Sequence, residues 1–320
     1  MSIDEDIRDR LRGVAVGAAI GDALGMPLEF GPAIPPDRLV RTMQPGRLPA
    51  GAFTDDTEMA LALADSLLEH APLDADSLAR HFVAWYRTGP SDVGIQTSDA
   101  LGRIARGSPW QTAVDAVQRS KPDAAGNGSV MRCWPVALAH WDDLEHLLVD
   151  SRLQSLVTHP HPECVAASAF VNATIHHLVH GVEAHAAVGQ AIDQVEMPPA
   201  LRQAIEAASA KRRGELPNSG WVRHTVESAI WGLLTTSSFE EAVVQVVNLG
   251  NDADTAGAVA GALAGAAYGL EAIPAVWRAA LRGEWPLRSG ERWEAARLVA
   301  LADRLTHMES RSSAPSEVSP

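Results

Sequence analysis

Cysteine is nearly missing from this chain of 320 residues: only two are present, Cys133 and Cys164, too few for a disulfide framework and without a CxxC pair that could offer a thiolate metal site. Their scarcity points to a reducing compartment. Positive charge is also in the minority, 26 Lys and Arg against 40 Asp and Glu, for a formal net charge of −14. That balance argues against a broad cationic surface for gripping phosphate backbones, although a small local anion site remains compatible with it. No uninterrupted apolar run reaches the roughly 18 residues of a membrane span. The opening "MSIDEDIRDR" lacks both the basic start and the apolar core of a signal peptide. The expectation is a cytoplasmic protein with neither a membrane nor nucleic acid as a broad partner.

Alternating strand patterns are absent as well, and no convincing strand is predicted. What is there is helical: 46% of residues are hydrophobic, enough for a large core, and they recur at helical spacing, with Met59, Leu63 and Leu67 on one face. The periodicity predicts an all-α protein with helices near 5–25, 56–70, 75–87, 92–107, 129–141, 144–158, 162–180, 219–236, 239–249, 254–268 and 289–307. Between the first two lies "PLEFGPAIPPDRLVRTMQPGRLPAGAF" (27–53), a Pro- and Gly-rich connection whose length, placed just before a charged motif, suggests a functional loop. The polar "ESRSSAPSEVSP" (309–320) reads as a disordered tail, leaving 1–308 as a single domain.

Two predicted helices carry glycine at every fourth position, Gly13, Gly17, Gly21 and Gly25 in one, Gly257, Gly261, Gly265 and Gly269 in the other. Glycine inside a helix costs about 1 kcal/mol relative to alanine, so the stripes need a compensating reason. Close backbone approach supplies it, and the two helices are expected at the centre of the molecule.

Each glycine helix lies beside an acidic cluster. "FTDDTEM" places Thr54, Asp55 and Asp56 at the start of the second predicted helix, and "NDADTAG" places Asp252, Asp254 and Thr255 at the start of the second glycine helix. Helix capping accounts for one Asp or Thr at such a place. It does not account for adjacent carboxylates, which repel unless a cation or a proton separates them. Together the clusters offer six oxygen-bearing side chains. That donor set suits two divalent cations about 3.5–4 Å apart, of the Mg²⁺ or Mn²⁺ type, better than zinc, which favours His or Cys.

At this point the chain resembles the ADP-ribosylglycohydrolases. The resemblance runs from about 11 to 305 through "GVAVGAAIGDALGMPLEF", "GAFTDDTEMALALADSL", "SDVGIQT", "GNGSVMRCWPVAL", "THPHPE" and "NLGNDADTAGAVAGALAGAAYG", in family order. It implies a compact orthogonal multi-helix bundle with a metal-containing cleft. It further implies that Thr54, Asp55, Asp56, Asp252, Asp254 and Thr255 are the ligands of two Mg²⁺ or Mn²⁺ ions, and that Glu29 and Asp92 match the family's catalytic acids, Glu29 with a gating role. Gly126, Asn127, Gly128, Ser129 and Met131 match the loop and helix start that hold the diphosphate and ribose, where backbone N–H groups suit an anion without a basic patch. His159 matches a cleft-lining histidine, and Trp221 falls where an aromatic near the substrate is expected, with an ordinary packed tryptophan as the alternative. His161 reads as loop structure. Asn251 stands where many members have glycine, which bears on the turn that presents the acids.

The implied activity is hydrolysis of the bond between ADP-ribose and an acceptor on a protein or small molecule, performed by a monomer. The alternatives are a catalytically silent ADP-ribose binder with the same fold and a different metal-dependent hydrolase acting on phosphoesters. Against the second, the chain has no adjacent His-Asp pair, and the absence of GxSxG and of a His–acid pair near Ser129 in sequence argues against a serine hydrolase.

Overall fold

The structure is a computed structural model and describes residues 3–307; the expected tail at 309–320 lies outside the described residues. Helix α1 (Glu5–Gly25) runs into a short 3₁₀ turn (Met26–Leu28), and an irregular segment then leads to α2 (Asp55–Glu69). The chain continues through α3 (Ala75–Arg87), α4 (Ile95–Ala105), α5 (Trp110–Ser120), α6 (Trp134–Ala139), α7 (Leu144–Leu156) and α8 (Pro162–Val179). After these come α9 (Ala184–Gln194), α10 (Pro199–Ala207), α11 (Val222–Thr235), α12 (Phe239–Val247), α13 (Ala253–Tyr268), α14 (Ala275–Ala280) and α15 (Ala295–Thr306). The all-α expectation holds, with one addition: β1 (Gly283–Glu284) and β2 (Arg292–Trp293) pair antiparallel.

The architecture turns on α1 and α13, which lie antiparallel with their glycine stripes face to face. Gly13, Gly17 and Gly21 meet Gly265, Gly261 and Gly257, and a Cβ on any of the six would fall 1.8–2.5 Å from a carbonyl oxygen of the opposing helix. Only hydrogen fits there. Gly25 faces Ala253 and Asp254 instead, so the last turn of α1 sits against the first turn of α13. Gly269 ends the ladder: a Cβ on Gly13 would lie 2.8 Å from its carbonyl carbon, and it closes α13 with φ 83° beside Asp9, where positive φ favours glycine. Around this pair pack α2, α6, α8, α11, α12 and α15, and one continuous core of buried side chains runs from Leu11 to Leu305. By length and composition alone, Glu5–Leu28 is a segment that could cross a membrane; here most of it is enclosed by other helices.

Several expected boundaries shift. The helix expected at 289–307 begins at Ala295, because 283–293 is spent on the small hairpin. That predicted at 129–141 is confined to Trp134–Ala139, with turns before it, and those at 92–107 and 219–236 begin at Ile95 and Val222. Helices α5, α9, α10 and α14 were not anticipated. Three of them start at or just after a proline: Pro109 caps α5, Pro199 is the first residue of α10, and Pro274 caps α14. Proline reads as a breaker in sequence, but its fixed φ and missing N–H suit the first position of a helix.

Candidate active site

Neither N-cap side chain caps its helix; on α13 it is Asp254 Oδ1, in the first turn, that accepts the Thr255 N–H at 3.0 Å. Thr54 is the N-cap residue of α2 and Asp252 that of α13, yet neither side chain accepts a hydrogen bond from its own helix. The first turn of α2 is satisfied from another helix. Asp22, fully buried on α1, accepts from the Thr54 N–H (2.9 Å), the Thr57 N–H (3.2 Å) and the Thr57 hydroxyl (2.6 Å), and its Oδ1 lies 2.9 Å from Thr54 Oγ1. With capping handed to Asp22, the acids of α2 are free to face elsewhere. Both clusters face one place: Asp56 Oδ2 lies 3.3 Å from Thr54 Oγ1 and 3.5 Å from Thr255 Oγ1, joining residues 199 apart in sequence.

The turn before α13 holds its acids by backbone geometry. Asn251 has φ 53°, the left-handed region that asparagine tolerates better than most side chains. Asn251 N–H donates to Gly31 O and the Phe30 N–H donates to Asn251 O, tying this turn to the start of the irregular segment. Asp252 accepts from Asn127 Nδ2 at 2.8 Å, which brings the 126–131 loop to the same pocket.

Electrostatically the pocket is overcharged. Asp55, Asp56 and Asp254 have carboxyl groups pushed well above the usual range, by burial first and then by neighbouring negative charge, chiefly Asp92 beside Asp55, Asp22 beside Asp56 and Glu29 beside Asp254. Burial lifts Asp22 to about 6 despite its four donors, and lifts Glu58 to about 7 against the Trp85 indole N–H that bonds it at 2.8 Å. Asp56 Oδ1 is buried with no partner at all. One arginine offsets part of this charge: Arg47 Nη2 lies 2.7 Å from Glu29, 2.6 Å from Asp92 and 3.2 Å from Asp254. The carboxylate oxygens of Glu29, Asp92 and Asp254 all lie within 4.8 Å of one another, a grouping able to hold a metal ion. This tight trio shares only Asp254 with the six ligands expected from sequence. The two expected catalytic acids therefore abut the ligand set, and Glu29 is raised by burial even with the guanidinium beside it.

The glycine loop flanks the acids. Gly126 pairs with Trp221 as an isolated antiparallel bridge, and the Asn127 N–H donates to Gly220 O. Ser129 is fully buried and accepts from Ser155 Oγ at 2.9 Å, with no histidine beside it, and Met131 is buried. His159 lies under the loop: a Cβ on Gly128 would come 2.8 Å from its ring, and one on Gly126 3.4 Å. Trp221 is partly exposed, donates from Nε1 to Glu163 at 2.9 Å and stacks with the Arg223 guanidinium, itself paired with Glu163. His161 lies in the bend before α8, as expected, and serves as the N-cap of that helix, accepting from the Glu163 N–H. A cavity of about 540 Å³ is lined by Lys211, Arg223, His224 and Glu227. It holds none of the acids, and its cations are already paired, Lys211 with Glu227 and Arg223 with Glu163.

Sequence reasoning missed Asp22, Arg47 and Glu163. Asp22 left a signal, a lone charge inside the apolar run of α1. Arg47 left none, being one arginine in an irregular segment.

The chain matches the family model for ADP-ribosylglycohydrolase over residues 3–315. Among curated proteins it is 36% identical over 285 residues to the ADP-ribosylarginine hydrolase Tri1 of Pseudomonas putida, covering 85% of this chain and 74% of that one. It is 34% identical over 280 residues to the ADP-ribosyl-[dinitrogen reductase] glycohydrolase of Rhodospirillum rubrum, covering 85% and 90%. Among solved structures it superimposes on a chain of an ADP-ribosylglycohydrolase-related protein complex with a TM-score of 0.79 and 34% identity, over 95% of this chain and 99% of that one.

Proposed function

The chain belongs to the ADP-ribosylglycohydrolase family, and from that premise we propose how its own residues carry the chemistry. It is a glycosidic-bond hydrolase that cleaves ADP-ribose from an acceptor. The single observation that carries the finer reading is the pair of helix starts whose own N-cap side chains make no cap bond. Thr54 and Asp252 occupy N-cap positions without capping, and the buried Asp56 Oδ1 between them has no partner. Hard oxygen donors crowded at raised pKa fit a pair of divalent cations, and the set contains no sulfur or imidazole. Thr54, Asp55, Asp56, Asp252, Asp254 and Thr255 would hold two Mg²⁺ or Mn²⁺ ions. Bound there, the ions supply Lewis acidity and positive charge beside the ribose hydroxyls.

The remaining roles belong to the protein. Glu29 and Asp92, both within reach of Arg47, are the candidate general bases for activating water at the anomeric carbon. An oxocarbenium-like transition state is favoured beside this many carboxylates. The 126–131 loop with His159 would hold the diphosphate, and Trp221, fixed by Glu163 and Arg223, would offer an aromatic face to the substrate. We read 1–308 as one catalytic domain acting as a monomer; the main core, running from Leu11 to Leu305, supports the single domain. Arginine is the first acceptor to test, since two relatives at 35–36% identity are ADP-ribosylarginine hydrolases.

The test is incubation with ADP-ribosyl-arginine, ADP-ribosyl-serine and O-acetyl-ADP-ribose in Mg²⁺, Mn²⁺ or EDTA. Free ADP-ribose should appear from the arginine substrate and vanish with EDTA. Release that survives EDTA refutes the metal site, and tight ADP-ribose binding without turnover of any substrate marks a silent binder.

A further inference from the structure

Arg132 is buried completely and forms no ion pair among the described residues. Its guanidinium is held by neutral groups alone: Nε donates to Gln154 Oε1 (3.2 Å), Nη2 to Gln154 O (3.1 Å) and to Thr158 Oγ1 (2.7 Å), Nη1 lies 3.6 Å from Met59 sulfur, and the Phe82 ring centroid is 4.2 Å away. Burial lowers its pKa to about 9, so it remains charged at neutral pH. A buried cation without a carboxylate is costly and needs a reason for being there.

The reason lies two bonds away. Arginine has only donors to offer, so Thr158 Oγ1 accepts from it. The hydroxyl proton must then find another acceptor, and His159 Nδ1 is 2.8 Å away. His159 is itself buried, and both burial and the nearby Arg132 charge drive its pKa far down, so the ring is neutral. A neutral imidazole protonated on Nδ1 would leave the Thr158 hydroxyl proton buried without an acceptor. That arrangement is disfavoured on the order of tenfold or more. The proton is therefore on Nε2, the edge of the ring that faces the loop: Nε2 would lie 3.0 Å from a Cβ on Gly128 and 3.4 Å from one on Gly126, and it makes no hydrogen bond among the described residues.

We infer that Arg132 is a positioning residue for ligand binding: through the Thr158 hydroxyl it locks His159 in the Nε2–H tautomer, so that the ring donates to an acceptor-only oxygen, such as that of a diphosphate, seated in the 126–128 loop. The inference rests on the reading of that loop as the diphosphate cradle. It explains why a cation is buried where it touches no ligand, since its task is to fix the direction of a hydrogen-bond chain. The other tautomer would present a lone pair to the anion and repel it.

The tautomer can be read without any ligand. In full-length protein labelled with ¹⁵N-histidine, long-range ¹H–¹⁵N correlation separates Nε2–H from Nδ1–H rings, and loss of one pattern in His159→Gln assigns the residue. Wild type and Thr158→Ser should show the Nε2–H pattern, whereas Thr158→Val and Arg132→Met should lose it in favour of a mixture or the Nδ1–H form. ADP-ribose affinity by calorimetry should then fall about tenfold or more in Thr158→Val and stay within about twofold in Thr158→Ser. Should Arg132→Met fail to fold, the Thr158 pair reads the same relay from its middle link. An Nδ1–H pattern in wild type, or a pattern unchanged in Thr158→Val, overturns the inference whatever ADP-ribose does. Absence of ADP-ribose binding in a wild type that shows the Nε2–H pattern would instead refute the reading of the loop.

Discussion

Substituting Gly261 by alanine tests the central packing claim with the smallest possible change. The added Cβ would sit 2.0 Å from Gly17 O, against 3.4 Å for ordinary contact, a shortfall of 1.4 Å, with Gly17 C at 2.7 Å behind it. Both obstructing atoms are helix backbone, so no side chain can swing aside and α1 and α13 must part. A gap of 0.5–1 Å already forfeits roughly a quarter to a half of a dispersion contact, and the loss spreads along both stripes. Overpacking costs about 1–3 kcal/mol in ordinary cores, with this case at the upper end, while alanine regains about 1 kcal/mol of helix propensity. A net loss of about 2 kcal/mol is expected, lowering Tm by roughly 3 °C in a domain of this size. Gly189 in α9 is the control: a Cβ there meets nothing within 4 Å, so Gly189→Ala should stabilise by about 0.5–1 kcal/mol. Melting both variants in EDTA by calorimetry keeps metal binding out of the comparison. A Gly261→Ala Tm equal to or above wild type would refute the ladder, because propensity would then outweigh a contact said to be impossible.

Three other outcomes bear on the site. Asp252→Asn should weaken Mn²⁺ binding by more than about tenfold and abolish turnover, yet leave the EDTA melting curve nearly unchanged, because Asp252 makes no cap bond; a large drop in Tm would restore the capping explanation. Arg47→Gln removes a guanidinium bonded to Glu29, Asp92 and Asp254, a positive charge that opposes a second cation at the same oxygens. Titration calorimetry should show divalent-ion affinity tighter by roughly threefold to tenfold, and an equal or weaker affinity would count against that competition. Metal-free protein should lose stability as pH rises from about 4 to 6 and beyond. Asp22 climbs from 3.8 to about 6 on folding, and Asp55, Asp56 and Asp254 are raised further. Each such group stabilises the fold below its unfolded pKa, and that contribution is lost as pH passes the folded value. Chemical denaturation in EDTA at several pH values should show the decline, saturating Mn²⁺ should suppress it, and a metal-free stability that rises across that window would show the acids not to be buried together.

The sequence made the ladder and both acidic helix starts legible because each repeats a residue type where ordinary helix chemistry disfavours it. Glycine every fourth residue and carboxylates in succession are costly unless something compensates, and the compensation could be named from the pattern. Asp22 was harder, since a single acid in an apolar helix has many explanations and its four donors come from a segment 32 to 35 residues later. Arg47 was beyond reach: only the path of an irregular segment brings it to Glu29, Asp92 and Asp254, and no periodicity encodes that path. The helices that begin at proline were hidden by the same residue that starts them. The two-residue hairpin at 283–293 was too short for any alternation to show.

The distance between the two ligand clusters is a property of α1, although α1 contributes no ligand to the expected set. Gly21 and Gly25 let α13 approach until Ala253 and Asp254 touch the last turn of α1. Asp22, between them in sequence, turns to the other side and holds the first turn of α2 through Thr54 and Thr57. One helical turn thus fixes both acid-bearing N-termini, and the 3.5 Å between Asp56 Oδ2 and Thr255 Oγ1 follows from those two contacts. Both helices also aim the positive ends of their dipoles at the acids they carry, which offsets part of the repulsion while no cation is bound. Had Thr54 and Asp252 capped their own helices, their oxygens would have been spent on backbone amides. Placing one cap on Asp22 and leaving Asp252 without a cap bond keeps Asp56 and Thr255 of the two helix starts within reach of each other, at the point where the core is packed too tightly to let them drift apart.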